Sequence, residues 1–153
     1  MQTKGTVADV VRGGAAGAAA LAAAQLTDMR ITKRNPSEPP NELVKNMTGW
    51  EPRRAATRTV ISYASQSTIP LAAAAILSAV DGGPARRFAG AWALGLVGGV
   101  VVDGVLGVVE PPWRWSAAGW VRELALKGAM AGGVALGAGS DPPAQPVVPP
   151  PRS

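Results

Sequence analysis

Asp103 is the residue whose chemistry has to be explained first. It stands in GLVGGVVVDGVLGVV, residues 95–109, as a lone carboxylate among Gly, Val and Leu. An acid in such a run either holds a proton or an ion, or locks a neighbouring helix through a salt bridge. Counting by fours along a helix puts Ala91, Gly95, Gly99, Asp103 and Gly107 on one face. A ridge of small residues lets helices approach closely. The carboxylate is therefore expected to aim at a neighbouring helix rather than at lipid.

Depth suggests its partner. Asp103 lies six residues before Val109, roughly 9 Å inside that end at 1.5 Å per residue. Arg122 lies five residues past Ala117, roughly 8 Å inside the same end. Ser65 and Gln66 fall a little deeper. The expectation is one buried polar layer of Asp103, Arg122, Gln66 and Ser65, with Asp103 ionised and paired to Arg122. With no second acid or His to build a relay, a register clamp is favoured over an ion site. Arg122 and Lys127 have a plainer reading as long basic side chains that snorkel to headgroups.

Other chemistry has little to work with. The chain contains neither Cys nor His, which removes thiol chemistry and the commonest general base and metal ligand. No nucleophile–base pair and no cluster of metal-ligand types is visible in the pattern. The expectation is a non-enzymatic protein with no catalytic, cofactor-binding or metal-binding residues and no cofactor. The net charge of +5 does not point to nucleic acid, because the basic residues stand beside apolar runs, where anionic headgroups account for them.

The elements that would position these residues follow from the solvent. Nearly half of the 153 residues are apolar, yet there is one Phe and one Tyr. Such small side chains bury little area in a soluble core but suit helices packed closely in lipid. Residues 59–80 carry no charge and residues 88–109 carry one, each over 22 positions, long enough to cross a hydrocarbon layer of roughly 30 Å. Two weaker segments, about 7–26 and 117–139, complete an all-α bundle of four membrane spans within a domain of residues 1–139. In the first, Asp9 and Arg12 can pair at i,i+3. That segment also reads as a secretory signal, with Ala22, Ala23 and Ala24 as the cleavage site, and is kept here as a helix. In the last, Glu123 and Lys127 form a favourable i,i+4 pair.

The first connection holds NELVKNMTGW, with Leu43, Val44, Met47 and Trp50 at helical spacing and Gly49 as a stop signal. It predicts a short helix, either lying in the headgroup layer or packed on the bundle. Trp50, Trp113 and Trp115 are the expected interfacial anchors. Pro70 is expected to kink the second span. Residues 140–153 hold six Pro and are expected to form a disordered tail. Counting Lys and Arg gives ten beside the long first connection and the EPPWRW turn and five on the other side, which places both termini outside. Residues 12–25 align loosely with 127–140, a similarity that Ala- and Gly-rich composition explains by itself.

GGAAGAAALAAAQLTDM, RNPSEPPNELVKNMTG and Pro-Pro-Trp at 111–113 together resemble YagU-like small bacterial multi-pass membrane proteins and related actinobacterial ones. The resemblance implies a four-helix membrane protein and transfers no catalytic residue. The functional expectation is an accessory or stabilising subunit of a larger bacterial inner-membrane complex, with membrane lipids and other integral subunits as partners. The alternative is a small transporter or ion-conducting protein using Asp103.

Overall fold

The computed structural model describes residues 6–33, 39–79, 82–105 and 111–138, and for Pro39, Pro40, Glu42, Leu43 and residues 100–105 it describes the backbone. Among the described residues the chain is helical, without strands. The helices are α1 (Val7–Thr32), α2 (Pro39–Thr48), α3 (Ala55–Ser78), α4 (Pro84–Val105) and α5 (Ala117–Gly137), with a 3₁₀ turn at Pro112–Arg114. Gly107 and the Pro-rich tail lie outside the described residues.

Each helix starts where its local chemistry allows. Thr6 and Asp9 form a capping box: the Asp9 N–H donates to the Thr6 hydroxyl at 3.3 Å and the Thr6 N–H to the Asp9 carboxylate at 2.7 Å. Asp9 also pairs with Arg12 at 2.7 Å. Ser116 caps α5 by accepting from the Gly119 N–H at 3.1 Å. At the other end of α2, Gly49 takes φ +71, and its N–H donates to the Lys45 carbonyl at 2.8 Å. That left-handed stop needs glycine or a residue that tolerates it. α1 continues to Thr32, six residues past the apolar stretch that ends at Leu26. Backbone hydrogen bonding does not distinguish an apolar residue from Gln25 or Arg30, so hydropathy locates the segment but not its end. For the same reason α3 begins at Ala55 and α4 at Pro84, each four residues before the charge-poor run.

The long helices pack as an antiparallel bundle in the cyclic order α1, α3, α4, α5, and α2 rests on α3. The largest interface is that of α1 with α5. Two small-residue motifs cross there, Gly13-x-x-x-Gly17 and Gly133-x-x-x-Gly137. A Cβ on Gly17 would lie 2.5 Å from Val134 Cγ2 and 3.2 Å from the Met130 carbonyl oxygen. A Cβ on Gly137 would lie 2.7 Å from the Arg12 carbonyl oxygen, and one on Gly133 would run into the Ala16 carbonyl. The two backbones are thus in van der Waals contact. Across α1, Gly14 admits Leu71 and Gly17 admits Pro70, which sits inside α3 and is fully buried. In the turn before Pro70 the Ser67 and Thr68 hydroxyls donate back to the carbonyls of Tyr63 and Ser65, the usual way a hydroxyl is satisfied inside a helix.

Small side chains dominate the interior, where Leu21 and Met130 are the larger buried apolar residues. The core is Ala73, Ala74, Ala91, Ala131 and Val134. Many other large apolar residues face outward, among them Val60, Ile76, Val97, Val121 and Leu136, the last 76% exposed. α1 and α3 are each long and apolar enough to cross a membrane.

Adjacent glycines on α5 give a direct test of this packing. A methyl group at Gly133 meets backbone, whereas at Gly132 it meets open space. Gly133→Ala is expected to lower stability by about 2 kcal/mol or more. Gly132→Ala should be neutral, or stabilising by up to about 1 kcal/mol through helix propensity. Thermal unfolding of the two variants in detergent measures both; equal losses would refute the crossing.

Candidate functional site

Besides the buried Asn41 of α2 and Ser62 of α3, a charged pair faces inward on α5, where it meets α4. Ala91, Gly95 and Gly99 are buried on the α4 face toward α5. Without side chains at 95 and 99 this face is a groove, and Lys127 of α5 lies in it. A Cβ on Gly95 would be 3.4 Å from Lys127 Cδ, and one on Gly99 would be 3.3 Å from Cε and 3.4 Å from Nζ. The ammonium pairs with Glu123 at 3.1 Å, and the two side chains are 12% and 23% exposed. Lys127 therefore runs into the groove instead of snorkelling outward. The pair is neutral as a unit, which keeps its desolvation tolerable. A methyl group at Gly99 would touch both members, tightly at Lys127 Cε and in ordinary contact with Glu123 Oε1 at 3.6 Å.

Two further contacts stitch α4 to α5. The Trp92 indole N–H donates to the Leu124 carbonyl at 3.2 Å. The Arg87 guanidinium donates to the Ala138 carbonyl at 3.1 Å, at the C-terminal end of α5, where a cation also meets the negative end of the helix dipole. Neither was expected from the sequence. The signal for Trp92 was present: an indole in the middle of an apolar run must find an acceptor for its N–H.

The expected polar layer is distributed as follows. Gln66 is half-buried on α3 and donates from Nε2 to the Ser62 hydroxyl at 3.2 Å, while its Oε1 is buried without a hydrogen-bond partner. Ser65 is half-buried, and its carbonyl accepts from the Thr68 hydroxyl at 2.6 Å. Arg122 is half-buried in the second turn of α5. Asp103 lies in α4 one turn beyond Gly99 on the same face; its side chain, and with it the Asp103–Arg122 pair, lies outside the described residues. Of the tryptophans, Trp50 is 53% and Trp113 81% exposed. Trp115 is half-buried and packs on Trp120 with ring centroids 5.0 Å apart.

With the site laid out, comparison is informative only in the negative: the chain matches no known protein family, no characterised protein and no solved structure.

The groove pair acts as a clamp, and its two members should be coupled. Lys127→Met leaves the Glu123 carboxylate facing an apolar groove and is expected to cost about 3 kcal/mol. Glu123→Gln with Lys127→Met should lose clearly less than the sum of the two single changes. Unfolding free energies for the three variants decide this, and simple additivity would refute the clamp.

Proposed function

We propose that the chain is a four-span integral membrane protein, α1, α3, α4 and α5 being the spans and α2 a helix in the headgroup layer. On this reading it serves as an accessory or stabilising subunit of a larger complex in the bacterial inner membrane and has no catalytic activity of its own. The observation that carries the reading is the radial order of side-chain size. Alanine, glycine and valine make up most of the interior, with Leu21 and Met130 as its larger apolar side chains, while many other large apolar residues point outward, an arrangement that water penalises and lipid does not. Only 22% of the apolar window of α1, and the same share of that of α3, is buried inside the bundle. A core helix of a soluble protein would be mostly covered. On α2, which rests on α3, Met47 is 74% exposed, and that outer side suits the headgroup layer.

The subunit role draws on the outer faces. The ridges Gly13–Gly17, Gly133–Gly137 and Ala91–Gly95–Gly99 are all used inside the bundle. Exposed stripes of small residues nevertheless remain, Ala15, Ala19 and Ala23 on α1 and the open Gly132 on α5, and an additional helix fits such stripes. The alternative, an ion-conducting protein built on Asp103, draws on the register of that acid beside the Glu123–Lys127 groove; it is the weaker reading, because that pair is already self-neutralised.

Two measurements test the proposal. In this Cys-free chain, Met47→Cys is expected to be labelled from the cytoplasmic side and Gly83→Cys from the outside. Labelling of both from one side would break the four-span topology. A photo-crosslinker at Ala19 should join the chain to a larger polytopic protein in native membranes, and Ala19→Leu should weaken co-purification of that protein. A chain that stays solitary in native membranes, with an ion flux abolished by Asp103→Asn, would establish the alternative instead.

A further inference from the structure

The polar end of the bundle formed by α2 and the start of α3 carries a feature that the subunit reading does not use. Gly49 turns the chain out of α2, and the extended residues that follow fold back to the start of α3. A cleft of about 580 Å³ lies between them, lined by Gly49, Trp50, Glu51, Arg53, Arg54 and Thr57. Its charge is uneven. Glu51 is drawn toward Lys45 at 3.4 Å. The Arg53 and Arg54 side chains have no ion-pair or hydrogen-bond partner among the described residues, the Arg54 carbonyl accepting from the Arg58 N–H at 3.0 Å. Arg54 is also the N-cap of α3 and contributes no side-chain cap, and the first turn holds no acid. The open N–H groups and positive dipole end of a 24-residue helix thus face the same cleft as two guanidinium groups.

We propose that this cleft binds the phosphate of an anionic phospholipid headgroup. Guanidinium forks match phosphate oxygens in pairs, and the open helix end adds donors to the same anion. What distinguishes a lipid from a free phosphate is the neighbouring apolar surface. Met47 and Trp50 are 74% and 53% exposed beside the cleft, where the glycerol and upper acyl chain of a lipid would cover them. What distinguishes an anionic lipid from a zwitterionic one is that a choline ammonium would meet two unpartnered arginines. The inference rests on the membrane reading above and adds to it a lipid class and an address.

The experiment uses the full chain. Carbonate extraction of native membranes comes first, and the protein purified in a neutral detergent is then titrated with short-chain phosphatidylglycerol, short-chain phosphatidylcholine and inorganic phosphate. Phosphatidylglycerol should bind, more weakly as salt is raised, and the other two should bind at least tenfold more weakly. Arg53→Gln with Arg54→Gln should weaken phosphatidylglycerol binding about twenty-five-fold, each cation near an anionic surface being worth about fivefold. Arg114→Gln, an exposed cation on another connection, should change it less than twofold. Both arginines are exposed, and unchanged helical circular dichroism confirms that the double variant is folded. Equal binding of inorganic phosphate overturns the lipid assignment, and an unchanged double variant overturns the site. If carbonate strips the protein from the membrane, the span reading fails and takes this inference with it; retention without a lipid preference defeats this inference alone.

Discussion

The contact on which the bundle depends is the crossing of α1 and α5 at Gly17 and Gly133. It is a contact between backbones, not between side chains. Close van der Waals approach of the two backbones supplies the attraction there. Glycine at both crossing points makes that approach possible. Once α1 and α5 are fixed at that distance, Leu71 and Pro70 of α3 find room over Gly14 and Gly17, and α5 turns its Met130 and Lys127 edge toward α4.

The polar interior follows from the same economy of side chains. A groove floored by Gly95 and Gly99 is deep enough to hold a lysine stem, and Glu123 one turn away neutralises its end. A charge that would be expelled from a flat apolar interface is retained because the glycines leave it space and the acid leaves it no net charge. Trp92 and Arg87 then tie α4 to main-chain carbonyls of α5. These bonds fix the register of the two helices without asking α5 for further polar side chains.

Much of this was legible in the residues. The helical class, the four long segments, the short helix before Gly49 and the Asp9–Arg12 and Glu123–Lys127 pairs all follow from spacing and from turn chemistry. The ends of the helices were less legible, because α1 runs through Gln25–Thr32 on backbone bonds that composition does not mark. Of the expected polar layer, the Asp103–Arg122 pair lies outside the described residues. Gln66 turns to Ser62 on its own helix, and Lys127 turns inward to Glu123 where snorkelling was the plainer expectation.

The residues by themselves determined what is local: which stretches are helical, which faces are small, and which charges sit one turn apart. Those properties depend on neighbours within four positions, and the chain order contains them. Only the tertiary structure decided which ridge meets which. Gly13–Gly17 could have faced α3, α5 or an outside helix with equal chemistry, and the α4 ridge could have been left uncovered. The choice depends on whole-helix distances and rotations, and these are set jointly by every close approach in the bundle. No single stretch of sequence contains that information, and for the same reason the lysine inside the groove came into view only with the fold.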